Sequence, residues 1–149
     1  MTATGHAVIG VVIASGVSNP VIGIPLAIVS HLAADAFPHW DVATNVKKKS
    51  RERLFLDSAI DVFLSFFLSY LLIHFFFPKI DLLYAFAMVF AAQLLDWTTM
   101  PYYFFGIKLP PFTWSYRLQK KFDNSLDKPW GIIWQVAVLM FLVYYATLI

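Results

Sequence analysis

From Leu54 to Phe77 the chain reads LFLDSAIDVFLSFFLSYLLIHFFF, a run in which two aspartates and a histidine are the only breaks in otherwise uncharged, mostly apolar sequence. A helix of about 20 such residues spans about 30 Å of hydrocarbon, and little else in a small protein needs one. Two further runs have the same character. Leu82 to Met100 ends at Pro101, and Trp130 to Ile149 opens after Pro129, at a position where the first helical turn tolerates proline. Between the first two runs lies Pro-Lys-Ile-Asp, a tight turn whose Asp81 can cap the next helix. Composition agrees: 60% of the 149 residues are hydrophobic and 13% are charged, against about half and a quarter in soluble domains. The expected class is an all-α integral membrane protein, a single membrane domain over residues 1–149. It comprises helices at 54–77, 82–100 and 130–149, preceded by a helical hairpin at 3–37, with loops at 38–53 and 101–129.

The hairpin is read from Ser18-Asn19-Pro20, a turn and helix-start signal between two short apolar stretches. Each arm is about 20 Å long at about 1.5 Å per residue, marginal for a full crossing. A re-entrant hairpin is therefore as compatible with the pattern as a spanning one. Its small residues, Gly10, Gly16, Gly23 and Ala27, allow close helix packing. The N-terminal segment MTATGHAVIG has no basic flank of the signal-peptide kind and is read as part of the mature protein.

Charge placement suggests an orientation. Lys47, Lys48, Lys49, Arg51 and Arg53 share one loop; Lys108, Arg117, Lys120, Lys121 and Lys128 share another; only Lys79 is left for the opposite side. The positive-inside rule puts both basic loops in the cytoplasm and the C-terminus outside, in the cytoplasmic (inner) membrane. The second loop mixes aromatics with bases, and Trp114 and Tyr116 suit headgroup depth.

The polar residues inside the apolar segments gather toward one membrane face. Asn19 stands near the midpoint between His6 and His31, so antiparallel arms bring the two histidines to one level at the open end of the hairpin. Asp35 follows His31 by one helical turn and shares its face. Pro38, His39 and Asp41 come next. Asp57 and Asp61 have the same one-turn spacing in the following run, and Asp96 lies near the cytoplasmic end of the run after that. Buried carboxylates in a bilayer are costly unless paired or bound to a cation. Nitrogen and oxygen donors without any cysteine suit zinc first, with manganese or iron as alternatives. The expected metal set is His6, His31, Asp35, His39, Asp57, Asp61 and Asp96, with Asp57 or Asp61 as a general base. Each member also has a plainer reading. His31 can be a helix-terminal cation paired with Asp35, Asp57 a favourable first-turn carboxylate, His39 and Asp41 loop residues, and His74, on the opposite face, a structural histidine.

Two segments, TATGHAVIG and SHLAADAFPHWD, resemble the membrane-bound metal-dependent hydrolases. These are small bacterial and archaeal inner-membrane proteins grouped distantly with the helical zinc-dependent phospholipase C fold. The family opens with Gly-His in its first helix and carries Ser-His-x-x-x-Asp late in a later one; Gly5-His6 and Ser30-His31 to Asp35 match. The resemblance covers roughly the first forty residues and implies that His6, His31 and Asp35 are ligands. Two segments of larger members, Asp-x-Asp-His and His-Arg-Gly-x-Thr-His-Ser, are missing, and the chain resembles a shorter branch running into Pro38-His39-Trp40-Asp41. The expected function is metal-dependent hydrolysis of a phosphoester or related ester, on a lipid headgroup or small ester substrate at the cytoplasmic face. Membrane lipid is the expected partner and nucleic acid is not. Arg117, Lys120 and Lys121 are expected to steer an anionic group. The alternative is a non-enzymatic protein, either a metal-stabilised scaffold or an ion-binding or transport component. The apolar far half of the helices argues against a conduit.

Overall fold

The computed structural model describes residues 1–149 as seven α-helices with no strand. Helices α1 (Ala3–Gly16) and α2 (Pro20–Ala36) form the hairpin, followed by α3 (Arg51–Phe76), α4 (Leu82–Ala92), α5 (Leu94–Phe105), α6 (Phe112–Phe122) and α7 (Trp130–Leu148). Local chemistry sets the ends. Asn19 accepts from the Val21 N–H ahead of α2, Ser50 from Arg53 ahead of α3, and Asp81 from Tyr84 ahead of α4. Gly106, at φ 66°, closes α5 in the left-handed conformation that favours glycine.

Helix α1 is the central element and packs on α2, α3, α4 and α7. Gly10 makes its closest approach possible. A Cβ there would stand 2.8 Å from the Met88 carbonyl oxygen and 3.0 Å from the Val89 Cα on α4. Around this contact Ala7, Val11, Ala27, Met88, Val89 and Ala92 are fully buried. Two helices, α3 and α7, are long and apolar enough to cross a membrane, and α4 with α5 makes a third if the bent pair counts as one. The outer faces of α3 and α7 are exposed and apolar: Phe63 is 68% exposed and Met140 68%. A bilayer is the solvent such faces suit.

Two boundaries differ from the sequence reading. The run 82–100 is not one helix: it breaks at Gln93 and bends by 47°. Gln93 is buried there, donating to the Val89 carbonyl and accepting weakly from Ser65. Nor does Pro101 end the helix, which continues to Phe105. Side chains of α6 tie it down, for the Leu95 carbonyl accepts from Ser115 and Gln119 as well as from Thr99 within α5. The expected loop 101–129 therefore contains the end of α5 and the whole of α6.

Both basic loops lie at one end of the bundle. Asn45 donates to Asp127 at 2.7 Å, and the backbone of Asn124 and Leu126 bonds to Asp35 and His39. These bonds form a single parallel bridge, His39 with Ser125. Gly131 lets the start of α7 approach it: a Cβ there would stand 2.8 Å from the Trp40 amide nitrogen.

Candidate metal centre

Where the hairpin opens, His6 of α1 and His31 of α2 stack face to face, with ring centroids 3.7 Å apart and planes 9° from parallel. They are 1% and 0% exposed. Asp35, one turn beyond His31, reaches both: Oδ1 lies 3.2 Å from His6 Nε2 and Oδ2 lies 3.4 Å from His31 Nε2. Asp96 Oδ1 stands 3.5 Å from His31 Nε2. One ligand atom each from His6, His31 and Asp96 falls within a 4.8 Å span. The amino group of Met1 also bonds Asp35 Oδ1.

The break at Gln93 builds part of this site. It strips the Ala92 carbonyl of its helical partner, and His31 Nδ1 takes that place at 2.8 Å. The Nδ1 proton is thereby fixed on the backbone, leaving the Nε2 lone pair facing the carboxylates. The same break starts α5 afresh, so Asp96 sits in a first turn, where the helix dipole favours a carboxylate. An unbroken helix over 82–100 would put Asp96 near an unfavourable C-terminus.

His39 repeats the arrangement. Its Nδ1 lies 2.8 Å from the Phe37 carbonyl, and its Nε2 stands 3.9 Å from Asp35 and 3.8 Å from Asp123. Burial depresses the His39 imidazole below its ordinary pKa. Burial works against ionisation of Asp123 too, but the Lys120 ammonium at 2.8 Å outweighs it and holds that carboxyl below the usual range. Asp41 goes the other way, pushed up by burial.

His6, His31 and Asp96 together could hold a metal ion. Buried polar groups normally find partners, yet both ring nitrogens of His6 and the Nε2 of His31 have no hydrogen-bond partner.

The other expected residues are engaged elsewhere. Asp57 pairs with Lys49 at 3.0 Å and Arg53 at 2.9 Å. Asp61 receives the Ala3 and Thr4 N–H groups at 2.7 and 3.2 Å and the Thr4 hydroxyl at 2.7 Å, closing the N-terminus of α1. Both carboxylates thus have protein partners and stand outside the His6, His31 and Asp96 group. His74 lies toward the far end of α3 against Tyr70 and Phe75. A polar cavity of about 480 Å³ opens onto Asp35 and His39, with Lys47, Lys48 and Lys120 in its wall. Arg117 and Lys121 are exposed on α6 and do not line it. Asp123, absent from the sequence reading, has no local signature; backbone pairing across more than eighty residues places it beside His39. No family model, curated protein or solved structure matches the chain.

Proposed function

We propose that this protein is a membrane-embedded hydrolase whose divalent ion, zinc first, is held by His6, His31, Asp35 and Asp96. The single observation that carries the reading is the pair of buried His6 and His31 rings whose ligand atoms lie within 4.8 Å of each other and of an Asp96 carboxylate oxygen. Such an ion, when bound, supplies a water of lowered pKa and offsets charge on a substrate oxygen. His39 is the residue placed to take that water's proton. It is held neutral by burial, with Nδ1 on the backbone and Nε2 toward the cavity. In phosphoester hydrolysis the water oxygen bonds to phosphorus, the bond to the leaving oxygen breaks, and the proton passes from His39 to that oxygen. Lys47, Lys48 and Lys120 suit an anionic substrate in the cavity.

For topology we read three spans, α3, the bent α4–α5 pair and α7, with the hairpin beside them. Both basic loops and the centre face the cytoplasm. A non-enzymatic reading draws on one observation, the purely structural employment of Asp57 and Asp61. Metal analysis of the detergent-purified chain by plasma mass spectrometry tests the centre. The expectation is about one ion per folded wild-type chain and little in His31→Ala/Asp35→Ala, since ligand loss leaves too few donors. A folded, thermally stable wild type without metal would refute it.

A further inference from the structure

Beside the polar cavity runs a second one of different chemistry. It measures about 420 Å³, within the range of ligand pockets, and lies between α3 and α5. Leu54, Phe55, Val62, Trp97, Met100 and Phe104 make its wall apolar. The two share Asp41, Ala43 and Tyr103, so the polar cavity and the apolar cleft adjoin along one wall. Asp96, a member of the metal group, lines the cleft itself. On the polar side Lys47 and Lys48 make no ion pair, whereas Lys49, Arg53 and Lys120 each have a carboxylate partner. Unpaired cations at one end and a mostly apolar wall at the other, with Asp35 on the polar cavity and Asp96 on the cleft, match one kind of molecule.

We propose that the cleft between α3 and α5 takes an acyl chain of an anionic membrane lipid whose headgroup occupies the polar cavity. The proposal deepens the hydrolase reading and rests on it only for what happens to the headgroup. The site admits the lipid from the bilayer, because the α3 wall continues into the exposed apolar face of a spanning helix: Phe55 and Phe63 line the cleft and are exposed. Lys47 and Lys48 select a negative headgroup by charge. Ala59, small and exposed on the cleft wall, leaves room for the chain.

Photo-crosslinking tests this with the full chain in phosphatidylcholine vesicles. These carry a trace of phosphatidic acid bearing a diazirine on its acyl chain, or phosphatidylcholine with the same chain. Adducts are mapped by mass spectrometry and metal is measured in the same samples. The expectation is that the anionic probe labels the cleft walls above the outer face of α7. Its preference over the neutral probe should be on the order of thirtyfold, about fivefold for each of the two lysines. Ala59→Trp should remove the cleft adducts and leave those at Met140 and Phe141. Lys47→Glu with Lys48→Glu, both on the surface, should abolish the preference for phosphatidic acid even if the tryptophan variant fails to fold. Even labelling of α3, α5 and α7 by both probes, as for annular lipid, overturns the proposal. Bound metal with even labelling defeats the cleft alone, and selective labelling of a metal-free protein defeats the centre and upholds the cleft.

Discussion

His6 and Asp61 are both polar side chains set into apolar helices, and their surroundings separate them. Asp61 has three donors from the start of α1, two of them backbone N–H groups that the first helical turn cannot satisfy itself. Asp61→Ala should cost about 1–2 kcal/mol, as loss of a good cap does. It should leave the metal content per folded chain unchanged. Thermal melting in detergent with metal analysis checks both, and metal loss in a well-folded Asp61→Ala would return this residue to the centre. Neither nitrogen of His6 makes a hydrogen bond, and Nε2 has only the Asp35 carboxylate beside it at 3.2 Å. An unsatisfied buried polar group costs about 1–3 kcal/mol, so His6→Leu should melt higher than wild type when both are stripped by chelator. Added zinc should then raise the melting temperature of wild type and not of His6→Leu, because only the protein with the site intact gains from mass action. The sequence made His6 legible because a hairpin turn near the midpoint between two histidines fixes their level. It could not assign Asp61, because α3 is apolar nearly all round and its rotation is set only by the helices it meets.

At the scale of elements, the α1–α4 contact and the Gln93 break position the site. Gly10 admits the Met88 carbonyl at a distance no side chain allows, whereas Gly16, at the far end of α1, faces open space, with no atom within 4 Å of where a Cβ would stand. Gly10→Ala should force α1 and α4 apart and cost about 1–3 kcal/mol, the usual range for overpacking. Gly16→Ala should be neutral or stabilising by up to about 1 kcal/mol. Equal melting temperatures for the two variants would show that the helices do not approach as described. The hairpin, the caps at Asn19 and Asp81 and the three apolar runs were legible because they depend on local chemistry. The break was not: Gln93 stands in LLYAFAMVFAAQLLDW with no glycine or proline to mark it. What accompanies it is tertiary, the bond of His31 Nδ1 to the freed Ala92 carbonyl. Asp123 escaped for a similar reason, since its place beside His39 comes from pairing with a distant segment.

On the scale of the whole molecule, the charges and the metal donors lie at the same end. The contacts of Asn45 with Asp127 and of Asn124 with Asp35 join the two basic loops into one surface around the cavity. The opposite end is made by the Ser18–Pro20 turn and the Pro78–Asp81 turn, which meet where the Tyr84 hydroxyl donates to the Val17 carbonyl. In a bilayer such a molecule has one polar end, rich in lysine and arginine, and one nearly uncharged end carrying Lys79. Each extra basic residue near a span favours retention in the cytoplasm. The joined loops must share a side, so an error in one loop's placement is an error in both. The chain has no cysteine, so single substitutions report cleanly. Ser50→Cys and Lys121→Cys, both at exposed positions of the basic end, should resist an impermeant thiol reagent in intact cells and react after permeabilisation. Lys79→Cys should react in both. Reaction of Ser50→Cys and Lys121→Cys in intact cells, with Lys79→Cys protected, would invert the protein and place the metal centre outside. Opposite behaviour of Ser50→Cys and Lys121→Cys would contradict the fold itself, because the bond from Asn45 to Asp127 ties their loops together.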